Sequence, residues 1–169
     1  IFPIWGKPMI FWAIEACKES HFINDIYVST ENSEIANISK EYGAKIIDRP
    51  TNLADDFTFK QDVIIHAVKQ LPERPEIVVS VQANSPQISA KDLDDAINKL
   101  ICADRKEIFS VDNELLQNGA FRIMRYGYVF QKSISTYSGV FVTDYIDVHT
   151  LEDVTILEND INRKISEKE

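Results

Sequence analysis

The chain has 169 residues, 44% of them hydrophobic and 27% charged, a composition that predicts one soluble globular domain with a sizeable core. Its formal net charge of -9 argues against a general binder of nucleic acid or of anionic membrane surfaces, because both would repel it, although a local pocket can still hold a small anion. We expect no membrane span and no leader peptide, since no apolar run nears about 20 residues and no basic segment precedes a cleavage site. A cytoplasmic protein is the expectation.

The two cysteines show no pattern of disulfide or zinc binding, which is consistent with a cytoplasmic protein. Cys17 and Cys102 lie in predicted helices far apart in sequence, and neither has the CxxC or Cys/His spacing of a zinc site. We expect both to be buried, reduced thiols, as is usual in the cytoplasm.

Strands and helices alternate along the first two thirds of the chain. Apolar periodicity predicts helices at residues 9–18, 33–42 and 58–71, and strands at residues 25–29, 45–47, 77–81 and 107–111. Gly43 is the expected C-cap of the second helix. Ser89 followed by Asp92 resembles a capping box for another helix, whose apolar stripe is Leu93, Ala96, Ile97 and Leu100.

The second half is less regular. Strands are predicted at residues 120–124 and 139–143, with a short helix or loop at 126–133 between them. Thr150 with Asp153 forms another capping-box pattern ahead of a C-terminal helix. Repeated strand and helix at this spacing implies right-handed crossovers. We therefore predict one domain over residues 1–169, a three-layer α/β protein with a mostly parallel sheet.

Residues 78–86 carry the most informative functional signal. An apolar run predicts a strand buried on both faces, and it ends directly in Gln82, Asn84, Ser85 and Pro86. The carboxyl ends of parallel strands open into a crevice where ligands bind, so these amides and hydroxyls favour contact with a polar ligand. The alternative is a capped turn, in which Pro86 stops the strand and Ser89 caps the next helix.

Asp147 and His149 form a second candidate site at the end of a strand-like run. Residues two apart in a strand share a face, so the carboxylate and the imidazole are able to converge on one metal ion or one substrate oxygen. The alternative is that Asp147 favours the positive end of the following helix and His149 is a surface residue.

Arg49 follows a predicted strand and precedes Pro50, which biases it towards an extended conformation. A guanidinium at a strand end suits a nucleobase carbonyl or a phosphate, because its planar donors are fixed. An ion pair with Asp48, Asp55 or Asp56 is the alternative.

Asn118 and Gly119 predict a turn with a positive φ where the chain returns to a strand. The five glycines include no GxGxxG and no Walker loop, which argues against an NAD enzyme or a P-loop ATPase.

Several short motifs follow one another along nearly the whole chain. They are WGKPMI at 5–10, VSTE at 28–31, YGA at 42–44, RP at 49–50, LADD at 53–56, HA at 66–67, VQANSP at 81–86, QNGA at 117–120 and IDVHTLED at 146–153. In this order they resemble the cytidylyltransferases that activate nonulosonic and octulosonic sugar acids, the CMP-sialic acid and CMP-KDO synthetases, with their GKPLI, VSTD, NGA and IDIDTPED. The segment 81–86 is closer to the LQxxSP of the sialic-acid branch than to the VQGDEP usual in KDO synthetases.

The resemblance implies a Rossmann-like nucleotidyltransferase architecture, with CTP laid across the strand ends and a sugar acid beside it. The anomeric hydroxyl of the sugar acid attacks the α-phosphorus and pyrophosphate leaves, while Mg²⁺, or alternatively Mn²⁺, neutralises the developing charge. The family's functional residues then fall on Arg49 at the cytosine, on Gln82, Asn84 and Ser85 in the nucleotide and sugar-acid pocket, and on Asn118 and Gly119 at the sugar. Asp147 and Gln82 are the expected catalytic residues, and Asp147 and His149 the expected metal ligands.

Three features depart from the family pattern. A phosphate-binding loop rich in Gly, Ser, Arg and Lys is missing after Pro3, where Ile4 follows directly. A dimerisation arm that the family often inserts after Val111 is reduced to residues 112–117, so a homodimer is an expectation from the family alone. His149 stands where the second aspartate of an acidic pair is usual, and an imidazole shifts the metal preference from Mg²⁺ towards Mn²⁺ or another transition ion.

These departures leave more than one function open. The leading hypothesis is a CTP-dependent cytidylyltransferase for a sialic-acid-like sugar acid. A KDO-type cytidylyltransferase, and a catalytically silent relative that serves as a binding or assembly protein, are the alternatives. An unrelated flavodoxin-like binding module would share the alternation of strands and helices but would give no reason for the ordered motifs.

Overall fold

The structure, a computed structural model, describes residues 2–55, 57–133 and 135–166. The helices are α1 (Met9–Glu19), α2 (Ser33–Glu41), α3 (Lys60–Lys69), α4 (Ala90–Cys102) and α5 (Leu151–Ser166). The strands are β1 (Pro3–Ile4), β2 (Lys7–Pro8), β3 (Tyr27–Thr30), β4 (Lys45–Asp48), β5 (Ile77–Val81), β6 (Glu107–Val111), β7 (Gln117–Arg125) and β8 (Ser138–Val142). Single 3₁₀ turns cover Thr51–Leu53 and Tyr126–Phe130. The predicted helices and strands are confirmed, with small shifts at their ends.

The strands form three separate sheets in the part of the chain that the structure describes. β1 and β2 are an antiparallel pair, β3 and β4 are a parallel pair, and the largest sheet has the order β5-β7-β6-β8. Within it β7 runs antiparallel to both β5 and β6, whereas β6 and β8 are parallel. The prediction of a mostly parallel sheet therefore holds for two pairs only, and the largest sheet is mixed.

The short connection between β6 and β7 explains the antiparallel strand. A parallel neighbour needs a crossover of about a dozen residues, whereas a hairpin needs only a few. Here the Asp112 carboxylate accepts hydrogen bonds from the backbone N–H groups of Glu114 and Leu116, both at 2.9 Å, and Leu115 takes a φ of 66°. The sequence does not predict this hairpin, because the turn lacks the Asn-Gly or Asp-Gly pair that usually marks one.

The Asn118-Gly119 pair lies inside β7 rather than in that hairpin. Gly119 has the expected positive φ, at 74°, but it belongs to an irregularity in the pairing of β7 with β6, where the register shifts between Phe109 and Val111. The hydroxyl of Ser110 accepts a hydrogen bond of 3.0 Å from the backbone N–H of Phe121. This bond satisfies an N–H group at the point where the pairing of the two strands is irregular.

Helices cover both faces of the four-stranded sheet, which is the predicted layering. On one face α1 and α4 form the main core with β6 and β7, and the predicted α4 stripe from Leu93 to Leu100 is at most 2% exposed at each apolar position. On the other face Val68 of α3 packs with Met124 and Val129. At the amino end, Ile4 of the β1–β2 hairpin is fully buried against Leu157 of α5.

Two burial predictions are wrong. Cys102 is exposed, because it is the last residue of α4 and lies off the buried stripe. Strand β5 is not buried on both faces, since every residue from Ile77 to Val81 keeps partial exposure. One edge of β5 pairs with β7, and no strand among the described residues pairs with the other edge.

Candidate functional site

The first element of the site is the end of β5. The strand finishes at Val81, and the backbone N–H of Gln82 donates a hydrogen bond of 2.8 Å to the carbonyl of Ala120 on β7. Ala120 in turn follows the irregular Asn118-Gly119 segment, and its own N–H is held by the Asn118 side chain at 3.3 Å. The position of Gln82 is therefore set by the neighbouring strand.

The turn after Gln82 is joined to the segment that precedes α5. The carbonyl of Asn84 accepts from the N–H of Val148 at 2.8 Å, and the Asn84 side chain donates to the carbonyl of Val148 at 3.4 Å. Ser85, which is fully buried, donates to Asp147 at 3.3 Å. These bonds bring the Asp147 carboxylate to the end of β5, across a sequence separation of 62 residues.

Asp147 and His149 converge as the two-residue spacing predicts, although they lie in an irregular segment and not in a strand. His149 Nε2 is 2.8 Å from Asp147 Oδ2, with the two side chains 70% and 31% exposed. Asp153 accepts from the backbone N–H groups of His149 and Thr150, and the bond from His149 does most to hold the pKa of Asp153 below its usual value. The capping carboxylate thus fixes the backbone that carries the imidazole.

The Asp147–His149 pair offers few donors for a metal ion. Within the described ranges no group of three or more His, Cys, Asp or Glu side chains is placed to hold an ion. One carboxylate and one imidazole supply two donors, so an ion there would take its remaining ligands from substrate oxygens and water. The mixed oxygen and nitrogen set suits Mn²⁺ better than Mg²⁺.

Arg49 forms an ion pair with Glu31, and not with Asp48, Asp55 or Asp56 as the sequence suggests. Its guanidinium donates through Nε and Nη2 to the same carboxylate oxygen of Glu31, at 2.9 Å from Nε. The bond from Arg49 is the main cause that lowers the pKa of Glu31. Asp55 is instead engaged with Phe57 and Thr58, and Asp56 lies outside the described residues.

One cavity joins some of these groups, but neither Asp147 nor His149 lines it. It has a volume of about 1350 Å³, and its polar end is lined by Arg49, Gln82, Asn84 and Lys60. Of the predicted binding residues, Arg49, Gln82 and Asn84 therefore face the same space, while Ser85 is buried behind them against Asp147.

Asn118 and Gly119 do not line this cavity. The Asn118 amide donates instead to the carbonyl and hydroxyl oxygens of Thr143, at 3.3 and 2.7 Å. A β-carbon placed on Gly119 would lie 3.7 Å from Lys60 Nζ, so the segment borders the cavity through that lysine.

Sequence reasoning missed Lys60 and Glu31. Lys60 begins α3 and lines the same cavity as Arg49 and Gln82. Nothing in its local pattern distinguishes it from a solvated first-turn lysine. Glu31 follows β3 directly, and its place at the end of the strand that pairs with β4 was the available signal, because Arg49 follows β4 in the same way.

Polar side chains gathered at the strand ends of a layered α/β domain are typical of proteins that bind or transform small polar ligands. A family model described as cytidylyltransferase matches residues 1–144, and the chain belongs to that family. None of the helices in the described parts is long and apolar enough to cross a membrane.

Two curated relatives illustrate the range of similarity. N-acylneuraminate cytidylyltransferase A of Danio rerio is 31% identical over 106 residues, which is 63% of this chain and 24% of that protein. Pseudaminic acid cytidylyltransferase of Campylobacter jejuni is 29% identical over 109 residues, which is 62% of this chain and 47% of that protein. The chain thus spans from 24% to 47% of the length of these two relatives.

Solved structures confirm the α/β fold. CMP:2-keto-3-deoxy-manno-octonic acid synthetase complexed with CTP matches with a TM-score of 0.78 at 12% identity, over 96% of this chain and 91% of that one. A Mycobacterium tuberculosis protein solved with manganese matches with a TM-score of 0.67 at 12% identity, over 94% of this chain and 90% of that one. At such identities the likeness concerns the fold.

Proposed function

We propose that the protein uses CTP to activate a sialic-acid-like sugar acid, giving a CMP-sugar and pyrophosphate. The observation that carries the proposal is that Arg49, Gln82 and Asn84 open into one cavity at the strand ends of a chain in the cytidylyltransferase family. The choice of a nonulosonic acid is supported by the form of residues 81–86, VQANSP, which resembles the sialic-acid branch.

Arg49 is assigned to the cytosine side of CTP. Two of its N–H groups are taken by Glu31, so the guanidinium plane is fixed while other donors remain for a base carbonyl or a phosphate oxygen. Lys60, at the same end of the cavity, offers a second cation for the phosphates or for the sugar-acid carboxylate.

Gln82 and Asn84 are assigned to the sugar acid and the nucleotide, with Ser85 supporting them from behind. The Gln82 amide can both donate and accept, which suits it to orient the anomeric hydroxyl towards the α-phosphorus. Asn118 and Gly119 are assigned to the sugar through the border they share with Lys60. Gln82 and Asp147 are the residues proposed to act in the reaction itself.

Asp147 and His149 would hold a divalent cation together with phosphate oxygens and water. Such an ion supplies charge neutralisation at the α-phosphoryl group and the leaving pyrophosphate. The Ser85 hydroxyl donates to Asp147 and holds its carboxylate beside the turn whose Gln82 and Asn84 line the cavity. Because one of the two donors is an imidazole, we propose Mn²⁺ as at least as effective as Mg²⁺. A cytoplasmic location and a homodimer belong to the same proposal.

Pyrophosphate release from CTP tests the activity. The purified protein is assayed with N-acetylneuraminate, a pseudaminate and KDO, each with Mg²⁺ and with Mn²⁺. We expect turnover to be fastest with a nonulosonic acid, and Asp147→Asn to lower kcat at least about 100-fold with an unchanged circular dichroism spectrum.

Asp144→Asn is the matched control, since Asp144 lies three residues earlier and is bonded to the side chain of Asn113. Near-normal activity of Asp147→Asn would remove Asp147 from the reaction. The absence of turnover with every acid, together with no thermal shift on adding CTP, would contradict the proposed function.

A catalytically silent relative is the second candidate, and the His149–Asp147 hydrogen bond favours it, because it occupies one oxygen of the carboxylate that a metal would need. This candidate predicts a CTP-induced thermal shift without turnover. His149→Asp would then be expected to gain metal-dependent binding of CTP.

A further inference from the structure

The first turn of α3 lacks the features that usually fix the start of a helix. The helix begins at Lys60, and its N-cap residue, Phe59, offers no side chain to accept from the first N–H groups. A lysine in the first turn also meets the positive end of the helix dipole, which is unfavourable, although Asp62 in the same turn offsets this. The local sequence therefore does not explain why the helix starts where it does.

Gln61 supplies a constraint from outside the helix. Its side-chain oxygen accepts a hydrogen bond from Nη1 of Arg122 on β7, and its side-chain nitrogen donates one to the backbone carbonyl of Val129. Val129 belongs to the 3₁₀ turn that directly follows β7. Because both ends of the amide are engaged, Gln61 ties the start of α3 to the largest sheet.

Arg122 is itself held by a carboxylate that is almost completely buried. Glu107, the first residue of β6, has a side chain 1% exposed and accepts from Nε and Nη2 of Arg122, at 3.2 and 2.5 Å. It also accepts from the hydroxyl of Ser138 at 2.5 Å and from the backbone N–H of Ser135 at 3.2 Å. Burial alone would raise the pKa of Glu107, but the bonds from Ser138 and Arg122 hold it below its usual value.

We call Glu107, Arg122 and Gln61 together the α3 anchor. A buried ion pair adds little net stability compared with apolar residues that fill the same space, because both charges lose their hydration. It does add a defined geometry, since two charge-assisted bonds to one carboxylate oxygen allow the guanidinium few orientations. The α3 anchor is thus better suited to setting the position of the helix start than to stabilising the fold.

Lys60, the neighbour of Gln61 in the chain, is the charged group whose position depends on the α3 anchor. Lys60 lines the cavity together with Arg49 and Gln82. Its ammonium group also lies close to β7, because a β-carbon placed on Gly119 would be 3.7 Å from Lys60 Nζ. A shift in the first turn of α3 would therefore move one of the cations of the candidate site.

We propose that Gln61, held by the Glu107–Arg122 ion pair, is a positioning residue that sets Lys60 to receive an oxyanion of the substrate. The oxyanion is a phosphate of the nucleotide or the carboxylate of the sugar acid, since an ammonium group binds either. Gln61 and Arg122 do not line the cavity, so they act through Lys60. The inference rests on the function proposed above, to which it adds three side chains.

Anion binding to the purified protein, without divalent ions, tests the proposal. Tripolyphosphate and N-acetylneuraminate are titrated separately by calorimetry, which distinguishes the two sources of an oxyanion. We expect Lys60→Met to weaken binding of at least one probe at least about tenfold, and Gln61→Met to weaken binding of the same probe at least about fivefold. Gln70→Met, the same change at an exposed position at the end of α3, should leave both affinities unchanged.

The double variant Lys60→Met/Gln61→Met separates positioning from a merely structural role. Because Gln61 acts through Lys60, the double variant should bind the probe about as weakly as Lys60→Met alone. Hydrogen exchange at the amides of Val63 and Ile64, near the start of α3, should be faster in Gln61→Met than in Gln70→Met.

Several results would overturn the inference. They are the absence of binding of either probe to the unmodified protein, unchanged affinity or unchanged hydrogen exchange in Gln61→Met, and a loss of affinity on Gln61→Met that is equally large with and without Lys60. The expected binding pattern without turnover of CTP and any sugar acid would contradict the proposed function and leave the role of Gln61 supported.

Discussion

The two thiols of the chain differ in their surroundings although both belong to helices. Cys17 lies on the buried face of α1, in the main core, and this burial raises the pKa of its thiol to about 11. Cys102 ends α4 and is open to solvent. Only the thiolate is a good nucleophile, so the two thiols should differ in reactivity both because of their ionisation and because of their access to a reagent.

We expect alkylation to distinguish them. At pH 8 a thiol with a pKa near 11 is ionised in only about one molecule in a thousand, and the core also excludes the reagent. In native protein treated with iodoacetamide, the variant Cys17→Ser should be labelled at least about 100 times faster than the variant Cys102→Ser. In denaturant the two rates should converge. Equal rates in the native state would mean that Cys17 of α1 is not buried in the core.

For single residues, the sequence predicts contacts between side chains of one segment better than contacts between side chains of different segments. Asp147 and His149, two residues apart, are in contact, although the segment is not the strand on which the prediction rested. The partner of Arg49 is 18 residues away, on the neighbouring strand, and can be recognised only once β3 and β4 are known to pair. Asp48, Asp55 and Asp56 are the partners that proximity in sequence suggests, but such proximity says little about which side chain lies alongside in a sheet.

Among the elements, helix α4 begins at the predicted N-cap, and a tyrosine from a distant segment adds hydrogen bonds to that cap that the sequence does not predict. The Ser89 hydroxyl accepts from the N–H of Asp92 at 3.1 Å, as expected of an N-cap. Tyr145, from the segment before α5, donates to the Asp92 carboxylate and accepts from the N–H of Ser89 at 3.3 Å. Burial, and then the bond to Asp92, raise the pKa of Tyr145 well above its usual value.

We expect Ser89→Ala to lower the free energy of unfolding by about 1 kcal/mol, because it removes the acceptor for the first-turn N–H. The Tm should fall by about 2 to 4 °C for a chain of this size. Ser33→Ala is the matched control, since Ser33 is an exposed first-turn residue in α2 whose cap is Asn32, and it should change stability by less than about 0.5 kcal/mol. Thermal unfolding of the three proteins measures both effects. A Ser89→Ala variant as stable as the control would assign the cap to Tyr145 alone.

The elements also show where local patterns fail. Helices with a regular apolar stripe, such as α4, were placed correctly because the stripe is a property of one segment. The direction of β7 depends on a hairpin whose turn is stabilised by a carboxylate, Asp112, and not by the usual Asn-Gly pair. The burial of β5 could not be predicted either, since an apolar strand says nothing about whether both of its edges have neighbours.

For the whole molecule, the number of neighbours that each described strand pairs with divides the strands into regions of unequal support. β6 lies between β7 and β8, so it is paired on both edges, and Ile108 and Val111 are at most 1% exposed. Among the described strands β4 pairs with β3 alone, and it has exposed residues at both ends. Regions with few buried contacts and singly paired strands open more readily than the core of a sheet.

Native-state hydrogen exchange should therefore reveal two levels of stability. We expect the hydrogen-bonded amides of β6 and β7 to exchange only through global unfolding, and those of the β3–β4 pair to exchange at least about tenfold faster through a local opening that breaks only one ladder. Adding denaturant well below the unfolding midpoint should accelerate β6 and β7 more steeply than β3 and β4, because global unfolding exposes more surface. Identical rates and identical denaturant slopes would show instead that the helices α1 and α3 couple the two sheets into one cooperative unit, although no strand among the described residues connects them.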